Sequence, residues 1–499
     1  MNIQIKNLTF SYPGSGENVF ENVSFSLDTR WKTGLIGRNG RGKTTLLKLL
    51  NGEFEGEYSG TISRPPGVDY FPCPLPDGET LTMDALSALS VAEEWRIAKE
   101  LSLLGVSDAA LYRPFSCLSG GEQTKALLAA MFLREGNFLL IDEPTNHLDL
   151  PSKICVAEYL RKKEGFLLVS HDRDLLDSCT DHILSLNRTD IEVQAGNFSS
   201  WYENTRRTEA FERSRDERLK KEIRRLKDSA HRTAEWSNKT EAGKYNTRNS
   251  GRRVDRGYVG HQAAKMMKTS KVIEAHKERA IEEKSALLKN AEEAESLKIR
   301  PLEFFSERLL EIKELTVRYG SVEACKGVSF SVFQGDRIAL NGKNGCGKSS
   351  VFRAILGLAE FSGTILLSPR LKISYVPQNT DSLSGSLGEY ARQYGIEESL
   401  FKAVLDKLGF RKKDFSADLS AMSAGQKKKA ALARSLCESA HLYIWDEPLN
   451  YIDIFTRIQI EELILSRQPT MVFVEHDSVF TSRTATEIRY LDEASGTGI

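Results

Sequence analysis

The sequence predicts an α/β protein in which one module with a mainly parallel central sheet is used twice, with a basic helical hairpin between the copies. Three observations predict it. GRNGRGKT at 37–44 recurs as GKNGCGKS at 342–349, SGGEQ at 119–123 as SAGQK at 423–427, and LLIDEP at 139–144 as YIWDEP at 443–448, always 304 or 305 residues apart. Separate motifs keeping one offset mean duplication of a whole domain. Each copy runs from strand-like alternation, IQIKNLTF and LEIKELTV, through a glycine loop into an apolar helix, then into buried-strand runs such as NFLLID and GFLLVS. Between the copies, Leu219, Ile223, Leu226 and Ala230 fall four, three and four apart, and Ile273, Ala280, Leu287 and Ala294 repeat every seven residues. These are the narrow apolar seams of two helices, and Gly243, Gly251, Gly257 and Gly260 separate them. The expected domains are 1–202, a helical hairpin over 203–304 with its tip near 236–271, and 305–499.

At 499 residues the chain exceeds one hydrophobic core and suits two domains with something between them. No apolar run approaches the roughly 20 residues that span a bilayer, and MNIQIKNLTF lacks the basic head and apolar run of a signal peptide. A cytoplasmic protein is expected. The seven cysteines form neither metal-ligand pairs nor a disulfide framework. Net charge is zero overall, yet residues 201–300 carry 26 basic and 17 acidic groups, so the middle is basic and the flanks acidic. Such a split points to a polyanion met by the middle segment.

The glycine loops are the first chemistry. In GxxxxGK[ST] the glycines let the backbone curl until successive N–H groups face phosphates, at the positive end of the following helix. The expected phosphate cradle is Gly37, Asn39, Gly40, Gly42, Lys43, Thr44 and Thr45 in the first copy, and Gly342, Asn344, Gly345, Gly347, Lys348, Ser349 and Ser350 in the second. Lys43 and Lys348 neutralise the β- and γ-phosphates, and Thr44 and Ser349 supply a hydroxyl for Mg²⁺. ATP or GTP, held with Mg²⁺, is therefore the expected cofactor. Asp142 and Asp446 end apolar strands and are placed to fix Mg²⁺ through water, while Glu143 and Glu447 follow as candidate general bases for an attacking water. His171 in VSHD and His476 in VEHD occupy matching places suited to a γ-phosphate contact. Tyr12 and Tyr319, paired in the first strand regions, are candidate platforms for a base. Ser119, Gly120, Gly121 and Gln123, with Ser423, Ala424, Gly425 and Gln426, form small-residue turns that open helices and suit a γ-phosphate.

The tip, 236–271, holds nine basic groups against two acids, with Trp236, Tyr245, Tyr258 and His261 interleaved. That mixture suits RNA, through phosphates and base stacking. The candidate contacts are Lys244, Arg248, Arg252, Arg253, Arg256, His261, Lys265 and Lys268.

The SGGEQ turn is the most specific of these signals, and with the loops it resembles the ATP-binding-cassette superfamily. The resemblance implies two ATP sites within one chain, a monomer: Lys43 and Glu143 facing Ser423 and Gly425, and Lys348 and Glu447 facing Ser119 and Gly121. It also implies that Asp149 and Asp453 cross the interface between the halves. Gln378, in YVPQ, sits where the family places a glutamine on Mg²⁺ and water, but the first copy has YFPC with Cys73. Ala424 and EPLNYID are further departures in the second copy.

Two such cassettes flanking a charged hairpin resemble the F subfamily, whose members act on ribosomes. GLIGRNGRGKTTLL, SGGEQTKALL, GYVGHQAAKMMKTSK and YIWDEPLNYID are similar to the Lsa and Vga type of antibiotic-resistance factor. Cys73 lies 46 residues before Ser119, against 45 from Gln378 to Ser423, which leaves no room for the extra arm common in housekeeping members. The resemblance implies a closed form in the exit site of the bacterial 70S ribosome, beside 23S ribosomal RNA and tRNA. Its tip would reach toward the peptidyl-transferase centre and dislodge pleuromutilins, lincosamides or streptogramin A. The alternatives are a tandem importer ATPase, which leaves the hairpin unexplained, and a housekeeping translation factor.

Overall fold

The structure is a computed structural model that describes residues 2–228 and 297–491, apart from 14–17, 54–56, 75–77, 135, 146–147, 188–190, 321, 344, 411 and several positions between 209 and 227. The chain divides into two compact units, Met1–Trp201 with Ser296–Ile499, and Tyr202–Glu295. The two modules anticipated as separate domains thus form one unit. In the second unit, the described positions from 202 to 228 are helical. The tip residues Lys244, Arg248, Arg252, Arg253, Arg256, His261, Lys265 and Lys268, and Asn344 of the second glycine loop, lie outside the described residues.

Each module is built on two main sheets, and the second half adds a two-stranded pair, Arg300–Pro301 with Ser439–Ala440. In the first, six strands run in the order Val68–Phe71, Phe138–Asp142, Phe166–Val169, Lys32–Gly37, His182–Leu186 and Ile191–Ala195. All neighbours are parallel except the last pair. The second module repeats this with five parallel strands, Ile373–Val376, Leu442–Asp446, Met471–Val474, Arg337–Asn341 and Glu487–Tyr490. The runs FLLV and MVFV are buried at every position, as parallel strands covered on both faces must be.

The alternating segments form antiparallel three-stranded sheets. Asn2–Ser11 lies between Phe20–Asp28 and Glu57–Ser63, and Arg308–Tyr319 lies between Val322–Phe333 and Phe361–Leu367. Ile3, Ile5, Leu8 and Phe10 face the core, and the step from 5 to 8 is made by a bulge at Asn7, whose φ is 51°. Glu314, also at φ 51°, makes the same bulge in the second module.

Helices fill the interval before each serine-glycine turn: Thr82–Ser90, Glu94–Leu103 and Asp108–Leu111 in the first module, Leu387–Gln393 and Glu398–Lys407 in the second. Neither interval carries an additional helical arm among the described residues. The turns then open the helices Gly120–Phe132 and Ala424–Cys437. Among the described residues, no helix is long and apolar enough to cross a membrane.

Candidate nucleotide sites

Both glycine loops deliver the geometry that their spacing requires. Gly42 (φ 92°) and Gly347 (φ 91°) sit in the left-handed region immediately before the helices Lys43–Asn51 and Lys348–Ile355. A Cβ at Gly347 would lie 2.2 Å from the Ala324 carbonyl, so only glycine fits that turn. Neither helix has a side-chain cap, which leaves its first N–H groups for an anion. The Lys43 amine donates to the Gly37 carbonyl at 2.7 Å, and Lys348 to the Gly342 and Lys343 carbonyls at 2.7 and 2.8 Å. Burial lowers the pKa of Lys43, although Asp453, Glu143 and Asp142 draw it the other way.

Glu143 and Glu447 share an unusual backbone, at φ 52° and 48°. A non-glycine residue there stores roughly 1 kcal/mol or more and persists only when its surroundings over-determine it. Here the Glu143 N–H donates to the Val169 carbonyl and the Glu447 N–H to the Val474 carbonyl. The bend turns each carboxylate toward its histidine, with Glu143 Oε1 and Glu447 Oε1 both 3.4 Å from Nε2 of His171 and His476.

Beyond that the two surroundings diverge. Around Glu447, Gln378 Nε2 donates to Oε1 at 2.8 Å and Asn450 Nδ2 to Oε2 at 2.7 Å. Gln378 Oε1 in turn accepts from the Ser349 hydroxyl at 3.3 Å. Burial pushes the Glu447 carboxyl up, but the hydrogen bond and charge of His476, with the Gln378 amide, outweigh it and hold the pKa at about 2. Glu143 has Cys73 where Gln378 stands. Burial, then the Asp142 charge, push it up to about 7, and its Oε1 is buried without a hydrogen bond. Burial also depresses His171 well below the usual imidazole value, so it is neutral.

The strand-end aspartates differ as well. Asp142 Oδ2 accepts from the Thr44 hydroxyl at 3.1 Å and from the Tyr70 hydroxyl at 3.0 Å, while burial raises its pKa. Asp446 is 1% exposed, and burial takes it up to about 6. Both its carboxylate oxygens lack a hydrogen-bond partner, since the nearby Ser349 hydroxyl donates to Gln378.

Tyr12 donates to or accepts from the Thr45 hydroxyl at 2.9 Å and stands edge-on to Phe10. Tyr319 lies under Arg353 and lines a cavity of about 440 Å³ with Gly345, Gly347, Lys348, Ser349, Ser350, Gln378, Glu447 and His476. Glu143, Lys153, His171 and Asp172 of the first module line the same cavity, and Ser119, Gly120 and Gly121 are not in its lining. Ser119 and Ser423 are the N-caps of their helices, in capping boxes with Glu122 and Gln426. Gln426 is therefore the counterpart of Glu122, not of Gln123, whose amide donates to the Phe115 and Leu118 carbonyls. Both glutamines hold their own turns. A Cβ added at Gly120, the counterpart of Ala424, would meet nothing within 4 Å.

Asp149 and Asp453 cap the helices Leu150–Arg161 and Ile454–Arg467 of their own modules. The hydrogen bonds that bridge the modules come from other residues. Asn39 Nδ2 donates to the Tyr451 carbonyl at 2.9 Å, and Tyr451 also lies against Gly425. The first glycine loop and the second signature turn thus meet on one residue. Lys153 pairs with Asp172 and donates to the His476 carbonyl at 3.1 Å. Arg173 reaches Glu461 at 2.7 Å and Asp477 at 3.5 Å, and Glu461 also takes Arg483 at 2.6 Å. Arg173 was invisible in sequence because its partner lies 288 residues away.

The comparisons agree with this geometry. Residues 20–146 and 325–450 match the ABC transporter family. The ribosome protection protein VmlR of Bacillus subtilis is 29% identical over 95% of this chain and 84% of its own length. The ATP-binding protein Uup of Caulobacter vibrioides is 29% identical over 96% and 75%. The energy-dependent translational throttle protein EttA of Escherichia coli K12 is 27% identical over 95% and 90%. Among solved structures, an archaeal ribosome recycling factor aABCE1 in complex with the stalk protein aP1 aligns with a TM-score of 0.62 at 17% identity, covering 97% of this chain and 87% of that one. A likeness at that identity bears on the fold alone. With the family matched twice and both glycine loops, aspartates and glutamates in place, the chain belongs to the ABC transporter family, as an ATPase with two cassettes in one polypeptide.

Proposed function

We propose that this ATPase is a cytoplasmic protein of the F subfamily that binds the bacterial ribosome at its exit site and protects it from antibiotics of the peptidyl-transferase centre. The observation that carries the reading is the match of paired cassettes and intervening segment together, over 95% of the chain, to a protein named for ribosome protection. The short helical interval before each signature turn, without an extra arm among the described residues, favours the resistance branch. The pleuromutilin, lincosamide and streptogramin A classes follow from the sequence resemblance.

In this reading Lys43 and Lys348 neutralise phosphate charge, and Tyr12 and Tyr319 flank the adenine. Glu143 and Glu447 accept the proton of the attacking water, with His171 and His476 on the γ-phosphate. Thr44 with Asp142, and Ser349 with Asp446 and Gln378, would hold Mg²⁺. The two unpartnered buried oxygens of Asp446 fit a hydrated cation, which supplies charge neutralisation at the phosphates when bound. Ser119, Gly120 and Gly121, and Ser423, Ala424 and Gly425, close over the opposite nucleotide. The tip arginines contact 23S ribosomal RNA and the tRNA end.

The test is co-sedimentation of the Glu143→Gln, Glu447→Gln double variant with 70S ribosomes, with and without ATP. ATP-dependent retention is expected; its absence in protein shown to bind ATP would overturn the reading. A housekeeping translation factor is the second reading, favoured by the 27% identity to EttA over 95% of this chain. Drug susceptibility of cells with and without the gene separates the two. Arg252, Arg253 and Arg256 changed to Glu should abolish protection while leaving ATP binding intact.

A further inference from the structure

The helix Ala424–Cys437 has a charged residue buried in an unusual place. Lys428 is 2% exposed, and its amine makes three hydrogen bonds to main-chain carbonyls: Pro377 at 2.7 Å, Gln378 at 3.3 Å and Asp446 at 2.8 Å. Its neighbour Lys427, 8% exposed, donates to the Asp381 carbonyl at 3.1 Å. One helix therefore grips the segment 377–381 at two points and ties it to the end of the strand Leu442–Asp446. The gripped segment presents the Gln378 side chain, which spans Ser349 and Glu447. A buried ammonium satisfied by three carbonyls holds those carbonyls in one arrangement, since each would otherwise leave a desolvated group without a partner.

Among the described residues, the first module shows no such grip. The counterparts of Lys427 and Lys428, read at the same offset, are Gln123 and Thr124. Gln123 donates to the Phe115 and Leu118 carbonyls, and Thr124 donates to the Gly120 carbonyl within its own helix. Neither reaches the segment after Phe71 among the described residues, and the side chain there is Cys73. The lysine and the glutamine that it positions occur together in one cassette and are both missing from the other.

We propose that Lys428 is a positioning residue of the second ATP site, holding Gln378 and the Asp446 strand end so that Ser349, Gln378 and Glu447 stay in line. The same helix begins at the signature turn, whose Gly425 lies against Tyr451, the residue that Asn39 of the first glycine loop contacts. Lys428 therefore joins a turn at the first site to the water-positioning glutamine of the second. Among the described residues, the helix Gly120–Phe132, which has Thr124 in place of the lysine, makes no equivalent link. This inference rests on the reading of Glu447 as the base of the second site.

The test uses the full chain with one site silenced at a time. In the Glu143→Gln background, where the second site works alone, Lys428→Met should lower the single-turnover hydrolysis rate by about tenfold or more, the scale of a misplaced reactive geometry. Affinity for ATP, read with a fluorescent analogue, should stay within about twofold. In the Glu447→Gln background, where the first site works alone, the same substitution should change the rate by less than about twofold. Equal slowing in both backgrounds, or loss of ATP affinity in step with rate, would mean that Lys428 only supports the fold. That result overturns the proposal. If the Glu143→Gln protein itself fails to hydrolyse ATP, the assignment of Glu447 falls, and the proposal with it. Lys427→Met, which leaves the Lys428 amine in place, gives a milder loss confined to the same background.

Discussion

Glu143 and Glu447 occupy equivalent positions, one residue beyond equivalent strands, bent by the same positive φ and facing equivalent histidines at the same distance. Yet one carboxyl is pushed up to about 7 and the other held at about 2. The backbone is duplicated and the chemistry is not. The difference lies in what offsets burial: at Glu447 the hydrogen bond and charge of His476 come first and the Gln378 amide next, while Glu143 meets the Asp142 charge, a neutral His171 and Cys73 in place of the glutamine. A buried carboxylate beside a second carboxylate and a neutral imidazole keeps its proton, and one given a charged imidazole and an amide loses it. Duplicated cassettes thus become unequal through the residues that surround the proposed base, with both carboxylates retained.

The largest effect expected from this inequality concerns the bases themselves. Each Glu→Gln change should cost its own site roughly 10²–10⁴-fold in turnover. Near pH 6, Glu447→Gln should remove most of the steady-state hydrolysis, because the surviving Glu143 is then largely protonated; Glu143→Gln should remove much less. Equal losses would break the comparison. The pH profile comes next. Glu143 acts as a base only when ionised, and its pKa is raised, so its competent fraction increases with pH through about 7. With Glu447→Gln, the single-turnover rate should therefore climb by about tenfold between pH 6 and 8. With Glu143→Gln it should be flat over that range, since Glu447 is ionised throughout.

Cys73→Gln offers Glu143 the donor that it lacks, and should move the midpoint of that climb down by about one pH unit. Gln378→Cys should leave the second site's profile flat between pH 6 and 8, because His476 still holds Glu447 ionised there. An unmoved midpoint in Cys73→Gln would locate the difference elsewhere than residue 73. Smallest of all, Ala424→Gly should alter hydrolysis by less than about twofold, because the space around its counterpart Gly120 is open.

The sequence was legible wherever chemistry is local. A glycine loop, its helix and the strand before it are contiguous, so spacing alone located them, and the fixed offset revealed the second copy. The antiparallel strands announced themselves by alternation, though the bulges at Asn7 and Glu314 that keep the apolar residues inward did not. Gln123 and Gln426 were grouped by identity, while the capping boxes show that position within the helix decides their roles. The loss at Cys73 was readable as a missing glutamine. Its electrostatic result depends on Asp142 and on burial, which no local pattern reports. Tyr70 on Asp142, Lys428 on Gln378 and Arg173 on Glu461 join residues 72, 50 and 288 positions apart, and such pairs emerge only when the chain is folded.

Glu461 is wholly buried and takes Arg173 from one cassette and Arg483 from the other. Its counterpart in the first cassette, at the offset of the preceding helix cap, is Ala157, so the arrangement has no mirror image. Stripping a buried carboxylate of a partner costs about 3–5 kcal/mol, far more than a slid apolar contact would. A slip of one half past the other by a turn of helix would break the Arg173–Glu461 pair and is opposed by that cost. Glu461 works as a dowel pin: it fixes the alignment of the two cassettes at one point of their joint.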